Sequence, residues 1–305
     1  MVMNKYSIGK FQFFIAKVLK RIPLPRKFKI FYNTTRHKII EKKLLPFFEK
    51  AESKISYNDT ISENNGPIWL FWWQGEQSMP PIVKCCIKSI KSNSCGRKVN
   101  LVTQYNINSY LELSDISDRI MYLKNKENIT LTFFSDIVRF KLLEKYGGLW
   151  LDATILVTDD IDNKYFSDIF TCSGYSDEDY FFVTEGDWCS FLIGGSANNP
   201  LFQFMCAFYE AYWEKNDGLV DYFIIDYALK YAWSKNIGGF KDFTIKHKNK
   251  INPNLFSLAP LLNNEFDISI WNKLNKNTNM FKLTYKKKFI KNRSTFYKFI
   301  IGRNS

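Results

Sequence analysis

The sequence predicts an α/β protein: a Rossmann-like, mostly parallel sheet flanked by helices, with a basic helical extension at each end. Three observations lead there. Short apolar runs at 68–73, 98–103, 129–133 and 149–155 alternate with helical patterns, the β-α-β order of a parallel sheet. The first run, Ile68–Trp73, is apolar on both faces, as strands inside such sheets are. Charge is segregated: residues 1–50 hold thirteen Lys/Arg against Glu41 and Glu49, residues from Met280 onward hold eight and no acid, and the stretch between is acidic although the chain carries +13 overall. At 305 residues, 46% hydrophobic and 17% aromatic, the chain suffices for a large core. The expected division is a helical extension over 1–60, an α/β body over 61–280 and a basic tail over 281–305.

Taken in order, residues 4–21 place Ile8, Phe11, Ile15 and Val18 at helical spacing, with Phe14 and Leu19 beside them and Lys10, Lys17 and Arg21 opposite. This amphipathic helix is too short and too interrupted by lysine to span a membrane, and it lacks the small-residue cleavage site of a signal peptide. It reads either as a helix lying on anionic lipid or as a surface helix packed on the body. Pro23 and Pro25 end it. Residues 27–50 read as a second basic helix broken near Pro46, and 52–66 as a linker. In the body, Pro80 and Pro81 open a helix that runs to about Ser92, with Ile82, Cys86, Ile87 and Ile90 inward. Short helical segments are expected at 107–113 and 116–123, a further strand at 177–184, and helices at 200–213 and 221–233.

The most informative stretch is Phe134–Ile155, FSDIVRFKLLEKYGGLWLDATI. It reads as helix, two-glycine turn and strand. Ser135 is a cap candidate, which puts Asp136 at the helix N-terminus, and Asp136 and Arg139 share a face at i, i+3. Gly147 and Gly148 supply the stop and the tight turn. Alternation along LWLDATI then puts Trp150, Asp152 and Thr154 on one face. A carboxylate and a hydroxyl on an otherwise apolar strand are costly to bury without partners, which marks a site.

Other chemistries are poorly served. An acidic body between basic ends is not a nucleic-acid groove; it suits ends that touch an anionic surface. Six cysteines without a C-x-x-C pair, and only His37 and His247, argue against zinc or a disulfide framework and for free thiols in a reducing cytosol. Both histidines read as surface residues. No phosphate-binding or dinucleotide glycine loop and no Ser/His/Asp set is present. Asp136, Arg139, Asp152 and Thr154 together suit the binding of sugar hydroxyls, phosphate oxygens or a divalent cation.

FSDIVRFKLLEKYGGLWLDAT resembles the S-D-x-x-R … Y-G-G-x-x-x-D-x-D core of the DXD-containing sugar transferases, glycosyltransferase family 32, and most of all the capsular polysaccharide synthesis branch. The segments IWLFWWQGEQSMPPIVKCCIKSI, DYFIID and FKLTYK agree, so the resemblance spans roughly Pro67 to Lys286. It implies a GT-A fold, a nucleotide-sugar donor (a UDP-sugar), retention at the anomeric carbon and a divalent metal, Mn²⁺ or Mg²⁺. Asp136 and Arg139 would hold the donor sugar, Asp152 would contact ribose or sugar and approach the metal, and Trp72 and Gln74 would lie near base and ribose. One departure stands out. The second Asp of D-x-D is Thr154 here, a neutral and weak ligand, so either the metal affinity of the pair Asp152/Thr154 falls or another acid such as Asp159 or Asp160 must help. Lys282 or Lys286 could cover the diphosphate, although a solvated basic tail is the plainer reading of both. Asp221 and Asp226 read as surface or helix-start carboxylates, with the alternative that either faces the acceptor.

The implied function is a bacterial glycosyltransferase, cytoplasmic and peripheral at the inner face of the cell membrane. It would add a sugar to a lipid-linked saccharide in capsular or other surface polysaccharide synthesis. Large clostridial glucosylating toxins carry a similar core, so a toxin-like transferase acting on a protein is one alternative. A catalytically weak sugar-nucleotide-binding scaffold, with Thr154 marking lost chemistry, is another.

Overall fold

The computed structural model describes residues 5–57, 65–112, 116, 118–126, 129–290 and 294–303, without the side chains of 5–10 and 119. Most of the linker at 58–64, the end of the 107–113 segment and Arg293 of the basic tail lie outside the described residues.

Helix α1 (Lys5–Arg21) and the long α2 (Arg26–Glu52) precede the sheet. Pro46 does not break α2 as the sequence suggested. Ile40, Leu44, Phe48 and Ala51 form a buried stripe, and α2 packs along α6 (Pro200–Lys215), so tertiary burial outweighs the lost backbone hydrogen bond. Two polar residues share that buried side. Arg36 lies among the rings of Phe13, Phe181 and Phe223 and faces Asp221 at 3.9 Å. His37 is buried rather than on the surface. Its Nδ1 accepts from the Tyr227 hydroxyl at 2.7 Å and its Nε2 donates to the Tyr180 carbonyl at 2.9 Å. Burial, with Arg36 nearby, pushes its pKa down to about 4, consistent with a neutral ring. Asp221, expected at the surface, is buried as the counter-charge of Arg36. The two helices thus clamp the loop at 177–181, which Lys20 and Lys29 also hold through Asp177 and Asp179.

The main sheet has five strands: β1 (Ile68–Phe71), β2 (Val99–Val102), β3 (Gly148–Leu151), β5 (Ile169–Thr171) and β6 (Leu192–Gly195), in the order β2-β1-β3-β6-β5. Only β6 runs against the others, so the sheet is mostly parallel, as predicted. The pleat sorts the core. Trp69, Trp150 and Ile193 join one buried cluster with α5 (Leu131–Tyr146), α6 and α7 (Ile224–Ser234). Ile68, Leu70, Leu149, Leu151 and Leu192 join the other with α3 (Pro81–Ser92) and the C-terminal segment.

Several expected elements change. Residues 129–133 are not a strand: Thr130 caps α5 through its hydroxyl to the Phe133 N–H, so the helix starts a turn before Ser135, and Asp136 sits in its second turn. A short apolar run is ambiguous between helix and strand, and here a cap and burial of Phe133 and Phe134 decide. Nor is LWLDATI one strand. β3 ends at Leu151, the Ile155 N–H donates back to the Asp152 carbonyl, and β4 (Ile155–Val157) pairs instead with β7 (Met280–Lys282) in a separate antiparallel ribbon. Residues 177–184 form turns, not a strand. The basic C-terminal end is built into the body through β7 and through α10 (Phe296–Arg303), whose Phe296, Tyr297 and Ile300 are buried. Five of the six cysteines are buried, Cys95 is exposed, and all are free thiols.

Candidate active site

The break at Asp152 is what makes a site. Asp152 leaves β3 at the carboxyl end of a parallel strand, where ligands of α/β sheets bind. Beside it Arg139 projects from α5. Its Nη1 lies 3.0 Å from Asp136 Oδ1 and its Nη2 3.4 Å from Asp152 Oδ1, and its plane lies near the Trp150 ring. One guanidinium therefore links a helix to a strand end, with a separate nitrogen of its planar fork turned to each carboxylate. Trp150 Nε1 donates to the same Oδ1 at 3.1 Å. The other oxygen, Oδ2, takes the Lys282 ammonium at 2.6 Å. The result is a chain of alternating charge, Asp136–Arg139–Asp152–Lys282.

Burial tunes these groups differently. Asp136 is almost fully enclosed, and burial pushes its pKa up to about 7 against the pull of Arg139. Asp152 is half-buried. Burial alone would raise it, but Lys282 and then Arg139 hold its carboxylate below the usual range.

This chain floors a cleft of about 570 Å³. All six residues singled out as nucleotide-sugar ligands line it: Trp72, Gln74, Asp136, Arg139, Asp152 and Thr154. Trp72 is half-buried at the end of β1, with its Nε1 donating to Ser78 and its ring edge-on to Tyr285. Gln74 is exposed at the mouth. A hollow of about 430 Å³ at the opposite, amino ends of β1 and β2 is lined by no carboxylate and offers less chemistry.

The pattern of the capsular polysaccharide synthesis protein family matches residues 21–300. The chain belongs to that family. It is accordingly a capsular polysaccharide synthesis protein. No curated protein matches the sequence. Among solved structures, a chain titled PaToxG Glycosyltransferase aligns over 71% of this chain and 86% of its own, at 15% identity and a TM-score of 0.40. A likeness that loose carries no argument about activity.

In this capsule-synthesis protein the expected metal pair does not fit a metal. Both Asp152 oxygens are already engaged, Oδ2 by an ammonium and Oδ1 by an indole N–H and a guanidinium, so little of the carboxylate is left for an ion. Thr154 lines the cleft but brings no charge, and Asp159 and Asp160 sit exposed beyond β4, away from its lining. Among the described residues no cluster of three His, Cys, Asp or Glu could hold an ion.

Sequence reasoning undervalued the second half of the site. Lys282, whose plainer reading was a solvated tail residue and whose alternative was contact with the diphosphate, is a central member of the charge chain. Its signal in the sequence is the FKLTYK segment, which contains it. Lys286 lines the same cleft. Asp226, read as a surface or helix-start residue, lies with Asp136 in an adjoining lobe of about 290 Å³ walled by Tyr175, Phe182, Trp188 and Tyr222. Burial pushes Asp226 up to about 7, against the hydrogen bond it accepts from Trp188 Nε1 at 3.4 Å. That lobe adjoins the loop that α1 and α2 clamp, and Lys20 of α1 lies 4.1 Å from the centre of the Phe182 ring in its wall.

Proposed function

We propose that this capsule-synthesis protein is a glycosyltransferase that takes a nucleotide-sugar donor, a UDP-sugar, in the larger lobe and a lipid-linked saccharide acceptor in the aromatic lobe beside it, and transfers the sugar with retention as family 32 does. The observation that carries the reading is the Asp136–Arg139–Asp152–Lys282 chain in a cleft at the carboxyl ends of parallel strands. Carboxylates accept from sugar hydroxyls, and a fixed cationic fork meets phosphate oxygens. Trp72 and Gln74 stand where base and ribose would enter, and the aromatic walls of the second lobe offer flat apolar faces to sugar rings. Departure of the diphosphate needs positive charge that is in place beforehand. A front-face substitution needs no enzyme nucleophile, which agrees with a floor already committed to ion pairs.

The test is a panel of uridine, guanosine and thymidine diphosphate sugars, read as release of nucleoside diphosphate by the purified protein. One donor class should be turned over, and Asp136→Ala and Asp152→Ala should abolish it. Full turnover by either variant would overturn the site assignment.

The acceptor's lipid brings the membrane into the proposal. No helix among the described residues is long and apolar enough to cross a bilayer. Instead α1 and the start of α2 carry exposed Phe11, Phe14, Val18, Phe28 (68%) and Phe31 (72%), amid Lys17, Arg21, Arg26 and Lys27. Among the described side chains of α1 the buried ones are Phe13 and Ala16, so this outward ridge is left over after packing. Apolar rings rimmed by cations suit the anionic headgroup region at the inner face of the cell membrane. In liposome flotation the protein should rise with anionic vesicles at low salt, and Phe28→Ser with Phe31→Ser should weaken this. Equal recovery with neutral vesicles sinks the idea.

A further inference from the structure

Resting on the donor reading above, we propose that the cation facing the donor's diphosphate is the Lys282 ammonium, held by Asp152, and that transfer proceeds without a divalent metal. The argument begins with the carboxylate. A divalent ion needs anionic oxygens with free lone pairs, and commonly more than one such group, to offset its lost water. Asp152 has one oxygen against Lys282 Nζ at 2.6 Å and the other shared between Trp150 and Arg139. A metal would have to displace an ammonium that is fixed from several sides.

Lys282 is not a tail residue that drifts in. Its backbone N–H donates to the Leu255 carbonyl at 2.7 Å, and it is paired opposite Ile155 in the β4–β7 ribbon. Its ammonium also lies 4.3 Å from the centre of the Phe191 ring. The neighbouring Leu283 N–H donates to the Thr154 carbonyl at 2.9 Å, so the position that lacks the second carboxylate lies beside the strand that supplies the cation. The two features agree. A second aspartate at 154 would add counter-charge next to Lys282, whereas threonine leaves its ammonium with a single carboxylate and spare attraction for an anion. The cleft lining as a whole sets Arg139, Lys282 and Lys286 against Asp136 and Asp152, a net positive surface before any ion is added.

The experiment uses the full chain and two independent readouts. First, Mn²⁺ alone is titrated with the protein and free Mn²⁺ is followed by electron paramagnetic resonance. The parent and Asp152→Asn should deplete the signal equally; stoichiometric binding by the parent that Asp152→Asn abolishes would overturn the proposal. Second, donor turnover is measured in EDTA and in millimolar Mn²⁺. The rate should be the same, and loss of turnover in EDTA would overturn the proposal without any variant. Lys282→Ala should lose on the order of a hundredfold, unrestored by Mn²⁺, with Lys282→Arg retaining more. Should no donor be turned over in either condition, the transferase reading falls, while the Mn²⁺ titration still decides the question of the cation.

Discussion

Arg139→Lys is expected to lower donor turnover about a hundredfold while the protein remains folded. Arg139 reaches Asp136 with one nitrogen and Asp152 with another, at 3.0 and 3.4 Å, from a buried position near Trp150. Lysine keeps the charge, so Asp136 and Asp152 are not left as bare buried anions, which is the change that would endanger folding. Its single nitrogen cannot give each carboxylate its own fixed donor, so the strand end and the helix lose their rigid common reference. The Nε of Arg139 also has no hydrogen-bond acceptor among the described residues, and a lysine would not present that donor. Steady-state rates across donor concentration, with circular dichroism as the fold control, check this. Turnover within threefold of the parent would mean that Arg139 is an ion-pair partner and nothing more.

Gly148→Ala should destabilise the protein by about 4 kcal/mol or more, enough to prevent accumulation of folded chain. Gly148 has φ +99°, and a Cβ there would stand 2.1 Å from the Pro67 carbonyl oxygen. That oxygen accepts the Leu149 N–H at 3.0 Å, so it cannot retreat without loosening β3 from the start of β1. Strain and clash therefore coincide at the turn that aims Asp152. Gly96→Ala is the control. Gly96 has φ +78° but nothing within 4 Å of an added Cβ, so only the conformational cost applies, about 1 kcal/mol. Urea unfolding of both variants separates the two effects. If they are equally stable, backbone conformation alone governs Gly148 and the close approach does not matter.

Much of the site was legible because its first half is local. Asp136 and Arg139 are three apart on one helix, and helical geometry puts such side chains together whatever the rest of the chain does. Asp152 was marked by its cost on an apolar strand. The parallel sheet followed from alternation of short apolar runs with helices. The errors also have a common physical form. Residues 129–133 were read as a strand because an apolar run of that length fits either element, and the Thr130 cap settled it. Pro46 was read as a break because the missing N–H is a local cost, which the buried face of α2 against α6 offsets. His37 and Asp221 were placed at the surface because nothing nearby in sequence hints at Tyr227 or Arg36 as partners.

The sequence by itself determined the helix–turn–strand unit, the Asp136–Arg139 pair, the acidic body between basic ends and the family resemblance, all of which rest on spacing and composition. Only the tertiary structure decided that Asp152 ends its strand, that Lys282 arrives on it from 130 residues away, and that Asp226 joins Asp136 in a second lobe. Residue spacing along one element dictates which of its own side chains are neighbours. Contacts between distant segments depend on how whole faces pack, and a lysine among basic residues near a chain's end carries no local mark of the carboxylate it will meet.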